Sequence, residues 1–229
     1  MGTSIRFSVG VCAHNEGTQP DGSSRLRVWL QHWKPLTEEI ILILHDCHDD
    51  SEAIAAEFGV RPVEVQISGL LEAVLWETPR YANPETWHIR TGGIDEFMSA
   101  EALHALSGVL TENDGLRLCW ISRRNFCEGV DISQLLGPDW QLDLMRPRPL
   151  PIKFKGGIHS YPEIAAHASQ VGMIDPQVAQ IEHRRSFAEI VRCNRARNGF
   201  SSPAQLQMQE QFIARTRELL RANGKEVEE

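Results

Sequence analysis

Five apolar residues in unbroken succession, Ile40 to Leu44, stop abruptly at His45-Asp46-Cys47-His48-Asp49-Asp50. A run without polar alternation fits a strand buried on both faces of a parallel sheet. A short helix restarts after it, with Asp50 or Ser51 as N-cap and Gly59 as its stop. Phe7 to Ala13 predicts an earlier strand, closed by the polar turn His14-Asn15-Glu16-Gly17. Between the two strands Leu26, Trp29, Leu30 and Trp33 recur at helical spacing until Pro35. Val63 to Ile67 predicts a third strand. Such a strand-helix-strand-helix-strand series favours a right-handed parallel sheet and an α/β fold.

The second half is less regular. Leu70 to Trp76 reads as a helical turn or two and Trp87 to Thr91 as a strand leading into Gly92-Gly93-Ile94-Asp95-Glu96. Ser99 then caps a helix reaching about Leu110. Leu116 to Ser122 and Gln141 to Arg146 predict strands, separated by a loop-rich stretch from Arg123 to Trp140. The prolines of Arg146 to Pro151 remove ladder donors, so this segment reads as a rigid connector. Ile152 to Ile158 and Val178 to His183 predict late strands, and Ser186 to Arg197 and Ala204 to Asn223 predict terminal helices. We expect one domain over 1–229, with a nucleotide-binding half over about 1–110, a substrate-binding half over about 111–200 and a C-terminal helix and tail over 201–229.

Composition narrows the function classes. With 23 basic and 31 acidic side chains the net charge is −8, which disfavours non-specific nucleic-acid binding. No apolar stretch approaches the roughly 20 residues of a spanning helix, and Met1 to Arg6 lacks the layout of a signal peptide. The five cysteines are odd in number, scattered and without a Cys-x-x-Cys pair. That usage suits reduced thiols and a cytoplasmic protein.

Candidate chemistry gathers where strands are predicted to end: Asn15-Glu16, His45 to Asp50, Asp95-Glu96 and His159. Ligands of open α/β sheets bind beyond the carboxyl ends of the strands. Asp50 also suits a plain helix cap. Asp95 and Glu96, behind a Gly-Gly turn, suit a hard divalent cation. His45, Cys47 and His48 offer zinc-type ligands, but their crowding matches no standard zinc spacing. His159 and His183 follow short apolar runs, where a hydrogen-bonded packing histidine is the ordinary reading. Arg184, Arg185, Arg192, Arg195 and Arg197 form either a solvated helix face or a clamp for phosphates or an anionic acceptor surface.

Taken in order, these segments resemble the family 2 glycosyltransferases, especially the short bacterial type related to lipopolysaccharide-core transferases. Phe7 to Glu16 is similar to that family's opening strand and Pro-x-Tyr-Asn-Glu turn. Glu39 to Asp50 is similar to its second strand and Asp-rich turn. Trp87 to Ser99 resembles the strand carrying Asp-x-Asp-Glu, Gly157 to Ser160 the later Val-His-Glu element, and Ile181-Glu-His183 an Ile-x-His near the end.

The resemblance implies a GT-A type fold, a mainly parallel Rossmann-like sheet flanked by helices, with short late strands and C-terminal helices. It implies a metal-assisted, inverting transferase moving a sugar from a UDP- or GDP-sugar donor to a glycan or lipid-linked acceptor, in polysaccharide biosynthesis. A lipid-linked acceptor would bring a peripheral contact with a membrane. Ala13, Asn15 and Glu16 would line the nucleotide pocket, with His45 or Asp46 at the base. Mn²⁺ or Mg²⁺ would sit on Asp95, with His159 and His183 as further ligands. Glu96 and Asp139 are the candidates for catalytic base, with Glu128, Asp131 and Glu163 behind them. The chain departs from the family pattern at Gly93, in place of the first Asp, at Cys12 for a proline, at Ser160 for a glutamate and at Asp143 for an arginine. These departures keep open a second reading, a catalytically decayed nucleotide- or sugar-binding module.

Overall fold

The computed structural model describes residues 5–65, 77–146, 152–155, 161–164, 168–196 and 203–227. Strand β1 (Phe7–Ala13) lies between β2 (Glu39–Leu44) and β3 (Trp87–Arg90) and runs parallel to both. Every residue of β1 is buried, as an apolar run in the middle of a covered sheet requires. Helix α1 (Arg25–Trp33) crosses from β1 to β2, and its stripe of Leu26, Trp29, Leu30 and Trp33 is 0% exposed. The Ser24 side chain caps it, accepting from the Arg27 amide at 3.1 Å.

Helix α2 (Ser51–Glu57) follows β2, buries Ile54 and Ala55 and ends before Gly59, which adopts φ +66°. The expected third strand is reduced, among the described residues, to a bridge between Val63 and Ile43. Its last two residues, and the turn expected over Leu70 to Trp76, lie outside the described residues. A short helix α3 (Thr78–Tyr81) leads to β3.

Beyond β3 the sheet becomes mixed, in the order β2-β1-β3, then β7 (Asp139–Met145), β5 (Leu118–Cys127), β11 (Gln180–Arg185) and β4 (Glu96–Phe97). Strand β7 is antiparallel to β3 and to β5. Strand β11 is parallel to β5, and β4 closes the edge antiparallel to β11. The fold is therefore a mixed α/β sheet with helices, parallel in the half where apolar runs alternate with helices.

The stretch expected to be loop-rich, Arg123 to Trp140, is largely ordered secondary structure. Strand β5 continues through it to Cys127, turns at Glu128 and Gly129 with φ +49° and +78°, and pairs with β6 (Val130–Asp131). A one-turn helix α5 (Ser133–Leu136) precedes β7. Arg123 and Arg124 disguised this strand, because Arg123 is half-buried in an ion pair rather than exposed.

Between β4 and β5, α4 (Ala100–Glu112) is capped by Ser99, whose hydroxyl accepts from the Ala102 amide at 3.1 Å. Strands β8 (Ile152–Lys155) and β9 (Tyr161–Ile164) pair with each other, and β10 (Val171–Met173) adds to β5. The terminal helices α6 (Phe187–Ala196) and α7 (Pro203–Ala222) share a second apolar cluster with Cys127 and Ile132. The five cysteines are free thiols. Among the described residues no helix is long and apolar enough to cross a membrane.

Candidate functional site

The ends of β1 and β2 are joined by the polar cluster that follows them. His14 donates from Nδ1 to the His45 carbonyl at 2.7 Å, and the Cys47 thiol donates to the Ala13 carbonyl at 3.4 Å. The Asn15 side-chain carbonyl accepts from the His48 amide at 2.8 Å. Asn15 and Asp46 both sit at φ +52°, the left-handed region that Asn and Asp tolerate better than most side chains. Asp49 and Asp50 then reach across, accepting from the amides of Gly17 and Thr18, each at 2.7 Å. Asp50 stands at the N-cap position of α2 as expected but makes no side-chain cap there; its carboxylate fastens the loop after β1 instead. His45, Cys47 and His48 are not part of the cluster of ligand-type side chains found among the described residues.

The cluster that does form comprises Asp95, Glu96 and His183, all buried, with candidate ligand atoms within 4.8 Å of one another. Strand pairing assembles it. Residues 183 and 185 of β11 share a face by the two-residue period of a strand. The β4–β11 pairing sets Glu96 opposite His183, and the Arg184 amide donates to the Asp95 carbonyl at 2.8 Å. As a result Asp95 Oδ2 meets His183 Nε2 at 3.0 Å and Arg185 Nε at 2.9 Å. The β5–β11 register places Asn125 beside His183, with Oδ1 2.9 Å from Nδ1. Burial works against ionising Asp95, but the hydrogen bond and charge of His183, with Arg185, hold its carboxyl well below the usual range.

Glu96 belongs to a different layer. Its Oε1 is 2.8 Å from Arg123, and its Oε2 accepts from the Gly92 amide at 2.6 Å. Arg123 also approaches Asp143 at 3.5 Å, and Asp143 pairs in turn with Arg90. Burial pushes the Glu96 carboxyl up against the pull of Arg123. With both oxygens engaged, Glu96 shapes the Gly92–Gly93 turn that presents Asp95. Asp139 accepts from Gln141 at 2.8 Å and lies 3.5 Å from Asn125, one side chain behind His183.

A cleft of about 830 Å³ opens over Asp95 and is lined, among others, by Asn15, Glu16, Arg25, Glu189 and Arg192. The sequence pointed to Asn15, Glu16 and Asp95, and the fold brings all three to this cleft. Ala13 is buried at the end of β1 just before it. His45 and Asp46 are not among its lining residues, although the His45 ring lies 6.5 Å from that of cleft-lining His14. His159 lies outside the described residues.

Arg25 and Glu189 were not anticipated. Arg25 opens α1, where a cation opposes the helix dipole, and that misfit was the available signal. It lies 3.7 Å from Glu16 and 3.8 Å from Asp95 and pairs with Glu189. Glu189 forms a capping box with Ser186, accepting from its amide at 2.9 Å while the Ser186 hydroxyl accepts from the Glu189 amide at 3.2 Å. Burial raises the Glu16 carboxyl; Arg25 opposes this, and Asp95 and Glu189 reinforce it.

The residues fit a hard divalent cation. The Asp95 carboxylate and the His183 imidazole suit Mn²⁺ or Mg²⁺, and Gly93 leaves one flank of Asp95 open. A Cβ at position 93 would stand 2.5 Å from Asp95 Oδ1, the oxygen that takes no part in the bonds to His183 and Arg185.

No family model and no curated protein matches the chain, so the family 2 assignment remains a resemblance in motifs. Among solved structures, the chain is similar to glucosyl-3-phosphoglycerate synthase from Mycobacterium tuberculosis in complex with Mn²⁺ and UDP-glucose. The two are 19% identical with a TM-score of 0.40, and the match covers 58% of this chain and 46% of the synthase. The same synthase with Mn²⁺, UDP and glucosyl-3-phosphoglycerate gives 20% identity and a TM-score of 0.41, over 57% and 46% of the two chains. The chain thus spans about half the length of this synthase. A structure described as a mycobacterial protein matches at 17% identity and a TM-score of 0.47, covering 92% of this chain and 73% of the other.

Proposed function

We propose that this chain is a glycosyltransferase that takes a sugar from a nucleotide donor to an acceptor hydroxyl, with a divalent cation held by Asp95 and His183. The observation that carries the reading is that Asp95 of β4's approach and His183 of β11 meet at 3.0 Å below the cleft that Asn15 and Glu16 line. The motif resemblance assigns the nucleotide to that cleft, and its arginines, Arg25, Arg184 and Arg192, suit a diphosphate.

The chemistry requires the acceptor oxygen to bond to the anomeric carbon while the bond from that carbon to the diphosphate oxygen breaks. The nucleoside diphosphate leaves with the electron pair, and the acceptor proton passes to a base. The cation, when bound, would neutralise charge on the departing diphosphate. Arg185 and Asn125 hold Asp95 and His183 in place, and Glu96 and Arg123 support the turn that presents Asp95. What supports Glu16 over Glu96 and Asp139 as the proton acceptor is that it lines the cleft, has a carboxyl raised by burial, and makes one long contact to Arg25. Protein incubated with UDP-glucose or GDP-mannose and Mn²⁺ should release the nucleoside diphosphate. Asp95→Asn should slow that release at least about tenfold, near 1.4 kcal/mol of barrier.

A catalytically decayed binding module is the second reading, favoured by Gly93 and by the guanidinium groups that already surround Asp95. It predicts nucleotide binding with no release of nucleoside diphosphate under any donor.

A further inference from the structure

Arg25 stands among three carboxylates of the cleft. It pairs with Glu189 and lies 3.7 Å from Glu16 and 3.8 Å from Asp95. These contacts differ in kind. Glu189 is fixed from behind, because its Oε2 accepts from the Ser186 amide at 2.9 Å and leaves Oε1 to Arg25. The approach to Asp95 is longer than a hydrogen bond. It is also made to Oδ2, which His183 and Arg185 already engage at 3.0 and 2.9 Å. Arg185 is therefore the fixed partner of Asp95, while Arg25 acts on it through charge alone. The Arg25 side chain is 32% exposed, so it reaches the open cleft. Arg184, another lining guanidinium, is held instead by Glu182 at 2.9 Å and lies over the Phe97 ring.

We infer that Arg25 is a resident counter-cation: it supplies positive charge beside Asp95 until a diphosphate draws it away, so that the cleft takes up a divalent cation and a nucleotide together rather than the cation alone. The diphosphate enters through the glycosyltransferase reading of the cleft, on which this role rests. Two like charges beside one carboxylate repel each other, and a partly desolvated cleft screens that repulsion less than bulk water does. Arg25 therefore lowers the affinity of Asp95 for a free cation. A diphosphate reverses this, because its oxygens match the fork of guanidinium donors and compete with the carboxylates for it. The same exchange releases Glu16, the proposed proton acceptor, from its contact with Arg25. Linkage makes the effect reciprocal: the factor by which UDP raises Mn²⁺ affinity is the factor by which Mn²⁺ raises UDP affinity. Arg25 enlarges that factor by holding down the affinity for the cation alone.

The test is calorimetric titration of the full chain with Mn²⁺ alone, and with UDP in the presence and absence of Mn²⁺. Arg25→Gln removes the charge and Arg25→Lys keeps it, and both replacements suit the first turn of a helix. Arg25→Gln should bind Mn²⁺ alone at least about fivefold tighter than the wild type, and Mn²⁺ should raise its UDP affinity by a factor at least about fivefold smaller. Arg25→Lys should stay within about twofold of the wild type for Mn²⁺ alone. Adding Asp95→Asn to Arg25→Gln should abolish the gain in Mn²⁺ affinity. If UDP binds but Arg25→Gln leaves the affinity for Mn²⁺ alone unchanged or weaker, Arg25 is a plain phosphate ligand; the inference is overturned and the transferase reading stands. Tighter Mn²⁺ binding that persists in the double variant also overturns it, since the cation then gathers on Glu16 and Glu189. Absence of UDP binding by every variant removes the transferase reading, while tighter Mn²⁺ binding by Arg25→Gln still upholds the counter-cation beside Asp95. Binding of neither Mn²⁺ nor UDP overturns both.

Discussion

Asp95 and His183 stand 88 residues apart in the sequence, yet Oδ2 and Nε2 lie 3.0 Å apart. Arg185 donates to the same oxygen. The carboxyl is thereby held well below its usual range, whereas in the unfolded chain it titrates near 3.8. The unfolded state therefore takes up this proton first as acid is added. The stabilisation is complete above the ordinary carboxylate range and is lost as pH falls below about 4, at up to about 1.4 kcal/mol per pH unit. Urea midpoints at pH 6 and pH 3 should fall further apart in the wild type than in Asp95→Asn.

His88 supplies a separate acid window. Its ring is buried between the Ser8 and Thr78 hydroxyls, each 3.0 Å from a ring nitrogen. Burial, with the Arg90 charge adding to it, pushes it down to about 3 from an unfolded value of 6.5. Here too the unfolded state binds the proton first, so stability rises with pH between about 3 and 6.5 and is level above. The slope is up to about 1.4 kcal/mol per pH unit. His88→Gln should flatten the stability profile between pH 4 and pH 6, which urea unfolding across that range reads directly.

Asp143 is fully buried between Arg90 and Arg123. Removing it leaves the buried Arg90 and the half-buried Arg123 short of a carboxylate, and Asp143→Ala should cost about 3–5 kcal/mol of unfolding free energy. Because Arg123 also holds Glu96, the variant should lose cation affinity in the folded fraction as well. Paired urea unfolding and Mn²⁺ titration check both parts.

Two glycines make opposite predictions. A Cβ at Gly10 would stand 2.5 Å from Thr78 Cβ and 2.6 Å from the His88 ring, inside the core. Gly10→Ala should therefore cost about 1–3 kcal/mol of stability. At Gly93 the Cβ meets the Asp95 carboxylate at its outer oxygen rather than the packed core, so Gly93→Ala should cost less stability than Gly10→Ala, which urea unfolding of the two variants compares. Gly93→Ala should nevertheless lose Mn²⁺ affinity, because the displaced atom is Asp95 Oδ1.

The parallel half of the fold was legible because its strands are apolar on both faces and its helices carry period-3.6 stripes such as Leu26 to Trp33. The strand ends pointed to Asn15-Glu16 and Asp95, which the fold brings to one cleft. The sequence could not show that Asp49 and Asp50 fasten Gly17 and Thr18, since either acid also suits a cap and only the tertiary contact decides between these uses. Nor could it show β5 continuing through Arg123, because a half-buried arginine reads as a loop until its carboxylates, Glu96 and Asp143, are placed around it. The meeting of Asp95 with His183 and Arg185 depends on a β4–β11 pairing between residues more than eighty positions apart.

The central claim is that a nucleoside diphosphate binds in the cleft above Asp95 with help from a divalent cation. Calorimetric titration of UDP and GDP into the wild type and Asp95→Asn, each with and without Mn²⁺, tests it most directly. The account predicts binding to the wild type that Mn²⁺ strengthens, and a loss of that Mn²⁺-dependent gain in Asp95→Asn. Absence of binding by either nucleotide, with or without Mn²⁺, would contradict it.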